Sequence, residues 1–334
     1  MRRKLILLPI IILTLGLFFS SSGCAQVAAP EKAAPKQITM LVEVKPGGAL
    51  DTMGRGIAPY FQKYIGATVI VENRTAGGGA EARNYVYKHA PDGRLILITH
   101  SSTPMYELLY APSEIYKKHF LQAFIPVAAW LNSGGAVLIT AKDSPVKTLP
   151  DFVQQAKQSK LNLAIGSLGS DEHVAAVIME RELGVDFEMI PFESGGETMA
   201  AVMGRHVDAG LAGVTGEAMG PENFNMLAIG APERVADFPD MPTFIELGYP
   251  AIDLAFHIGA AVREETPEDI INKMEEAFRK AFYDEDFQKW AKDARKPIGE
   301  FYDRQMWTDY LTTWFELNEQ IFPEVKASME EIAK

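Results

Sequence analysis

Cysteine is nearly missing from this chain: Cys24 is the only one among 334 residues. A disulfide framework and any cysteine-rich metal centre are thereby excluded. Positive charge is also scarce, with 32 Lys and Arg against 44 Asp and Glu and a formal net charge of −12. Beyond Arg2-Arg3-Lys4 at the start no basic run interrupts that deficit, so no nucleic-acid partner is expected. Long apolar runs are confined to the N-terminus, which excludes a multi-span membrane protein. HExxH and Gly-x-Ser-x-Gly are absent, and no nucleophile can be paired with a base by spacing. No catalytic residue, cofactor or metal is therefore assigned. What is present, 47% hydrophobic and 23% charged residues, is the balance of a folded globular chain of about two domains.

The first residues read as a targeting segment. Met1-Arg2-Arg3-Lys4 is basic, Leu5–Phe19 is almost wholly apolar, and Ser20-Ser21-Ser22-Gly23 supplies small residues. That order predicts a signal peptide over residues 1–23. The apolar stretch is short for a spanning helix and contains Pro9. Ending at the sole cysteine, the segment resembles a bacterial lipoprotein signal, which implies lipidation of Cys24. Residues 24–37 are rich in Ala, Pro and Lys and read as a tether. Removal of residues 1–23 takes away three positive charges and changes −12 to −15.

Beyond the tether, apolar β-rich runs alternate with helical periodicity. Ile38–Val44, Thr68–Val71 and Leu95–Ile98 read as strands, and Leu50, Met53, Ile57, Phe61 and Tyr64 mark one helical face between the first two. The pattern recurs with strands at 136–139, 162–166, 187–190 and 207–211 and helices at 151–157, 172–183 and 197–203. Ile252–Val262 reads as a further strand, 267–282 as a helix, and 304–334 as a long amphipathic stretch. The fold class is α/β: two doubly wound lobes, residues 37–137 plus 252–334 and residues 138–251, with a ligand cleft between them. Two crossings between lobes suit closure around a ligand.

The segments that bear on function join strand ends to helix starts. Pro46-Gly47-Gly48-Ala49-Leu50-Asp51 is one. It is either a tight turn or, through its glycines and helix-start N–H groups, an anion-binding loop. Gly166-Ser167-Leu168-Gly169-Ser170-Asp171-Glu172-His173 repeats the physics, with Ser170 as a natural N-cap. Ligands in open α/β sheets sit beyond the carboxyl ends of the strands, where both loops fall. Ser101 and Ser102 follow a third strand end and add hydroxyls. Ser194 opens another Gly-rich turn, and Asp208 completes the candidate set.

Several of these motifs stand in the order found in one family. Pro46-Gly47-Gly48 with Asp51 and Arg55, Val69–Arg74 with Gly77-Gly78-Gly79, Pro91-Asp92-Gly93, Gly166–His173, and Pro239–Phe244 with Glu246 and Gly248 together resemble the solute-binding receptors of tripartite tricarboxylate transporters. The resemblance implies a two-lobed, periplasmic-binding-protein-like fold of type II. It also implies a small organic carboxylate, most often a di- or tricarboxylate, held by the two loops and passed to membrane permease subunits. Two departures stand out. Glu193 and Ser194 occupy positions that are usually small or basic and then Gly, and Phe256-His257 replaces a common Trp. Glu193 either faces the cleft, where it repels a second carboxylate or pairs with an ammonium group, or lies solvated at the rim. An exported hydrolase using Ser167 or His173, or a sensor docking on a membrane partner, is the competing reading.

Overall fold

The computed structural model describes residues 35–334 apart from 48, 78, 102, 104, 106, 107, 109–118, 133, 134, 215–218, 253, 254, 256, 295 and 297. Residues 1–34, with the expected signal peptide and Cys24, lie outside the described residues, as do Gly48 and Ser102.

The elements run β1 (Gln37–Val42), α1 (Ala49–Ile65), β2 (Thr68–Asn73), α2 (Ala80–Lys88), β3 (Leu95–His100), α3 (Phe120–Ala123), β4 (Phe124–Asn132) and β5 (Ala136–Ala141). They continue with α4 (Leu149–Ala156), β6 (Leu161–Ile165), α5 (Asp171–Leu183), β7 (Phe187–Pro191), α6 (Gly195–Met203), β8 (Ala209–Gly213) and β9 (Phe224–Ile229). β10 (His257–Arg263), α7 (Glu268–Phe282), α8 (Glu285–Asp293) and α9 (Arg304–Ile332) end the chain. The described strands form two five-stranded sheets, β2-β1-β3-β10-β4 and β7-β6-β8-β5-β9.

Each sheet has a parallel half built from β-α-β units. In the first, β1 pairs in parallel with β2 and β3, placing Thr39 opposite both Ile70 and Leu95. In the second, β6 pairs in parallel with β7 and β8. Central β1 and β3 are buried on both faces because helices cover both. β2 lies at the edge and alternates between exposed and half-buried. The other half of each sheet is antiparallel: β10 against β3 and β4, and β5 against β8 and β9. The sequence reading gave no strand for β4 or β9. The strand expected over 252–262 begins at His257.

The chain leaves the first sheet after β4 and returns at β10. α9 then runs across both lobes. Its Trp307, Leu311 and Phe315 pack with Leu41, Leu97, Phe120 and Phe124 of the first lobe. Its Trp314, Ile321 and Val325 belong to the core of the second, with Leu138, Leu163, Val177 and Phe187. The second half of α9 therefore sits outside the lobe to which the sequence reading assigned residues 252–334. An amphipathic pattern shows that a face is buried, not which core buries it.

α9 approaches β10 closely. A Cβ at Gly259 would lie 2.5 Å from the Ala128 carbonyl oxygen and 2.7 Å from the Trp307 indole. Gly259→Ala therefore forces strand and helix apart. We expect it to destabilise the fold by about 1–3 kcal/mol, as overpacked cores do, measured by urea unfolding.

Candidate functional site

The first wall of the site forms where β1 ends. Glu43, 3% exposed, meets the buried Arg83 guanidinium of α2. Its other oxygen accepts hydrogen bonds from Thr99 Oγ1 (2.8 Å) and Thr103 Oγ1 (2.9 Å). Gly79 makes room for the pair: its φ is +82°, and a Cβ there would lie 2.6 Å from Glu43 Cβ. Burial of this kind is tolerated only when the charge is paired and its lone pairs are satisfied. His100, at the end of β3, has its pKa lowered by burial, which outweighs the opposing pull of Glu43.

The β1–α1 loop is clamped by Asp51. Its Oδ2 accepts the Gly47 N–H at 2.9 Å, and its Oδ1 accepts Arg55 Nε at 2.9 Å and Asn73 Nδ2 at 2.7 Å. Arg55 also donates to Asn73 Oδ1 at 2.7 Å, and Asn73 Nδ2 to the Val44 carbonyl at 3.0 Å. Asp51 thus ties the loop to the end of β2. Pro46 and Gly47 lie exposed above it, with Ala49 half-buried at the start of α1.

The β6–α5 loop uses the same device. Gly169, with φ +84°, donates its N–H to His173 Nδ1 at 3.0 Å. His173 lies four residues on, as Asp51 does from Gly47. The Ser170 N–H donates to the Ser167 carbonyl at 2.9 Å, and Ser170 Oγ caps α5 by accepting the His173 N–H at 3.3 Å. The His173 ring is fully buried, and desolvation pushes its pKa down to about 4. Its Nε2 lies 3.1 Å from Ser328 Oγ of α9. With both nitrogens engaged, His173 has none to offer a substrate.

The two loops face one cleft of about 490 Å³. Glu43, Val44, Lys45, Thr75 and His100 line it from the first lobe, and Ser167, Leu168, Pro191, Phe192 and Glu193 from the second. All of them lie at or just beyond the carboxyl ends of parallel strands, where α/β sheets take ligands. Ser101 bridges the lobes: its Oγ donates to Asp171 Oδ2 at 3.4 Å and accepts the His257 N–H at 3.4 Å, and its own N–H donates to the His257 carbonyl at 3.2 Å. Glu193 sits on the cleft wall, and Lys45 Nζ of the opposite lobe is 3.6 Å from its Oε2. Both side chains are about four-fifths exposed, so the pair adds little stability.

Among the expected site residues, Ser167 and Glu193 line the cleft directly. Ser194 stands beside it as the N-cap of α6, accepting the Glu197 N–H at 3.3 Å. Asp208 is not brought there. It precedes β8 at the opposite end of the strands and accepts the Asn162 N–H at 2.8 Å. Sequence reasoning did not single out Lys45, Thr75, His100, Phe192 or the Glu43–Arg83 pair. For all but Arg83, which lies inside α2, the available signal was position alone, at a strand's last residue or within three residues beyond it. Among the described residues no cluster of His, Cys, Asp and Glu could hold a metal ion.

His257 opens β10, its ring set against those of Tyr310 and Tyr302 at centroid distances of 3.9 and 4.7 Å. Its Nδ1 is 3.4 Å from the Ala255 carbonyl, and its Nε2 has no partner among the described residues. Desolvation lowers its pKa from 6.5 to about 4. As pH falls through 6.5 the unfolded chain binds a proton that the folded chain refuses until about 4, so this histidine costs stability across that window. His257→Phe keeps a ring and removes the titration. Its thermal stability should fall less between pH 6.5 and pH 4 than that of the parent, as read by the melting temperature at each pH.

Comparison with known proteins places these features. Residues 53–298 match the profile of the "Tripartite tricarboxylate transporter family receptor". Protein BugT of Bordetella pertussis is 30% identical over 241 residues, spanning 71% of this chain and 73% of that protein. Among solved structures, MatC from Rhodopseudomonas palustris with bound malate aligns with a TM-score of 0.70 at 24% identity, covering 85% of this chain and 98% of that one. A second R. palustris protein, with adipate, aligns with a TM-score of 0.72 at 19% identity, covering 87% and 97%. These structures share the fold: two α/β lobes of the periplasmic-binding-protein type with a cleft between them.

Proposed function

The chain belongs to the tripartite tricarboxylate transporter receptor family, and from that premise we propose that its cleft captures a small organic carboxylate and delivers it to a membrane permease. The convergence of strand carboxyl ends from two lobes on one cleft, with α1 and α5 each beginning a few residues beyond its lining, carries the reading. Helix N-termini favour anions without needing a basic pocket, so an acidic chain can hold a carboxylate. The malate and adipate of the two R. palustris structures are ligands of that class. His173 is held by Gly169 and Ser328, which disfavours its use as a catalytic base and favours a receptor over a hydrolase.

The ligand proposed is a di- or tricarboxylate. Lys45 beside Glu193 offsets the charge that would repel a second carboxylate at the rim. Calorimetry of the ligand-stripped protein against mono-, di- and tricarboxylates and amino acids tests this. Micromolar binding, about −8 kcal/mol, is expected for one of the di- or tricarboxylates. Lys45→Ala should weaken it by about two- to five-fold, because exposed charge pairs are worth less than about 1 kcal/mol. Binding of amino acids alone, or of none of the panel, would overturn the assignment.

We propose further that residues 1–23 direct export and that Cys24, lipidated, anchors the receptor through the 24–37 tether on the periplasmic side. Its basis is the basic and apolar run that ends at the sole cysteine. Cys24→Ser should move the protein from the membrane fraction to the soluble one or block its processing. Unchanged partitioning of the variant would refute the anchor.

A further inference from the structure

The C-terminal helix reaches the cleft loop through one side chain. Ser328 lies in the second half of α9, and its Oγ is 3.1 Å from His173 Nε2 and 3.5 Å from Met189 Sδ. The direction of these bonds follows from chemistry. A backbone N–H only donates, so the Gly169 N–H at 3.0 Å requires a bare lone pair on His173 Nδ1. The buried ring is neutral, with its pKa pushed down to about 4. Its one proton therefore sits on Nε2 and is donated to Ser328 Oγ. The serine hydrogen is left to point at Met189 Sδ on β7. Three donors are thus aligned in one direction, from the cleft loop through the imidazole to α9 and back to the sheet.

We infer that Ser328 is a positioning residue for the Gly166–Ser170 loop, acting through the tautomer of His173. The inference rests on the reading of this cleft as the ligand site. Without an acceptor at 328, the Nε2–H loses its partner in a buried setting, and the other tautomer becomes competitive. That tautomer sets an N–H against the Gly169 N–H and releases the loop, whose φ +84° turn is held by that bond. α9 is also packed into the first lobe through Trp307, Leu311 and Phe315. The same bond therefore ties the second-lobe loop to a rod seated in both lobes.

The test uses nitrogen-15 NMR of the purified protein without ligand, followed by calorimetry with malate and adipate as probes. The parent should show His173 protonated at Nε2 alone and a Gly169 amide protected from exchange. Ser328→Ala should mix the two tautomers, speed Gly169 exchange about ten-fold or more, and weaken binding of whichever probe the parent binds by about three- to ten-fold, as expected for losing one buried hydrogen bond. Ser328→Thr should restore all three readouts. Lys160→Ala removes the contact of Lys160 with Glu331 at the end of α9, 3.5 Å away, and should leave them unchanged. If Ser328→Ala keeps the parent tautomer and Gly169 protection, or if Ser328→Thr fails to restore them, the positioning role is wrong. If the NMR changes occur but the parent binds neither probe, the positioning role stands and the result counts against malate and adipate as ligands.

Discussion

The buried contact between Glu43 and Arg83 is the constraint around which the first lobe is arranged. A carboxylate and a guanidinium removed from water lose several kcal/mol of hydration each, recovered only when every lone pair and donor is matched. Thr99, Thr103 and the left-handed Gly79 supply that match. These partners come from β1, α2, β3 and the segment after β3, so satisfying one ion pair fixes four pieces of chain. The pair lies immediately beneath the cleft wall. It sets where Val44 and Lys45 emerge and how deep His100 sits.

The two loops above that foundation share one solution to the same problem. A glycine that lets the chain turn from strand to helix leaves an N–H pointing at the residue four positions on. In the first loop the acceptor is the Asp51 carboxylate, and in the second it is the His173 imidazole. The sequence reading took the glycine N–H groups as donors for a ligand. In the structure Gly47 and Gly169 direct theirs inward, and what they hold in place is the loop. A carboxylate at Asp51 also draws in Arg55 and Asn73, whereas a neutral imidazole leaves a second nitrogen to reach α9.

Much of this was legible in the sequence because it is local. Strand, glycine loop and helix start lie within a dozen residues, and their order fixes which end of the sheet carries the loops. The motif residues Gly47, Asp51, Arg55 and Asn73 also have a common explanation, as parts of one clamp. What escaped is non-local. Lys45 and Glu193 are far apart in sequence, and nothing in either segment announces the other. Asp208 looked like a candidate because it borders a strand, but it borders the wrong end, and composition does not tell the two ends apart. β4 carries Pro126 beside two alanines, and its place in the sheet comes from pairing with β10, a partner more than a hundred residues later. α9 showed its apolar stripe clearly but not that the stripe is shared between two cores.

That shared stripe has a consequence for how the polypeptide is made. The interior of the second lobe includes Trp314, Ile321 and Val325 of α9, which are made after β5 to β9 of that lobe. The first sheet likewise waits for β10 to fill the gap between β3 and β4. Neither interior can close around a growing chain that stops short of α9. A growing chain therefore has no finished compact half until α9 has been made.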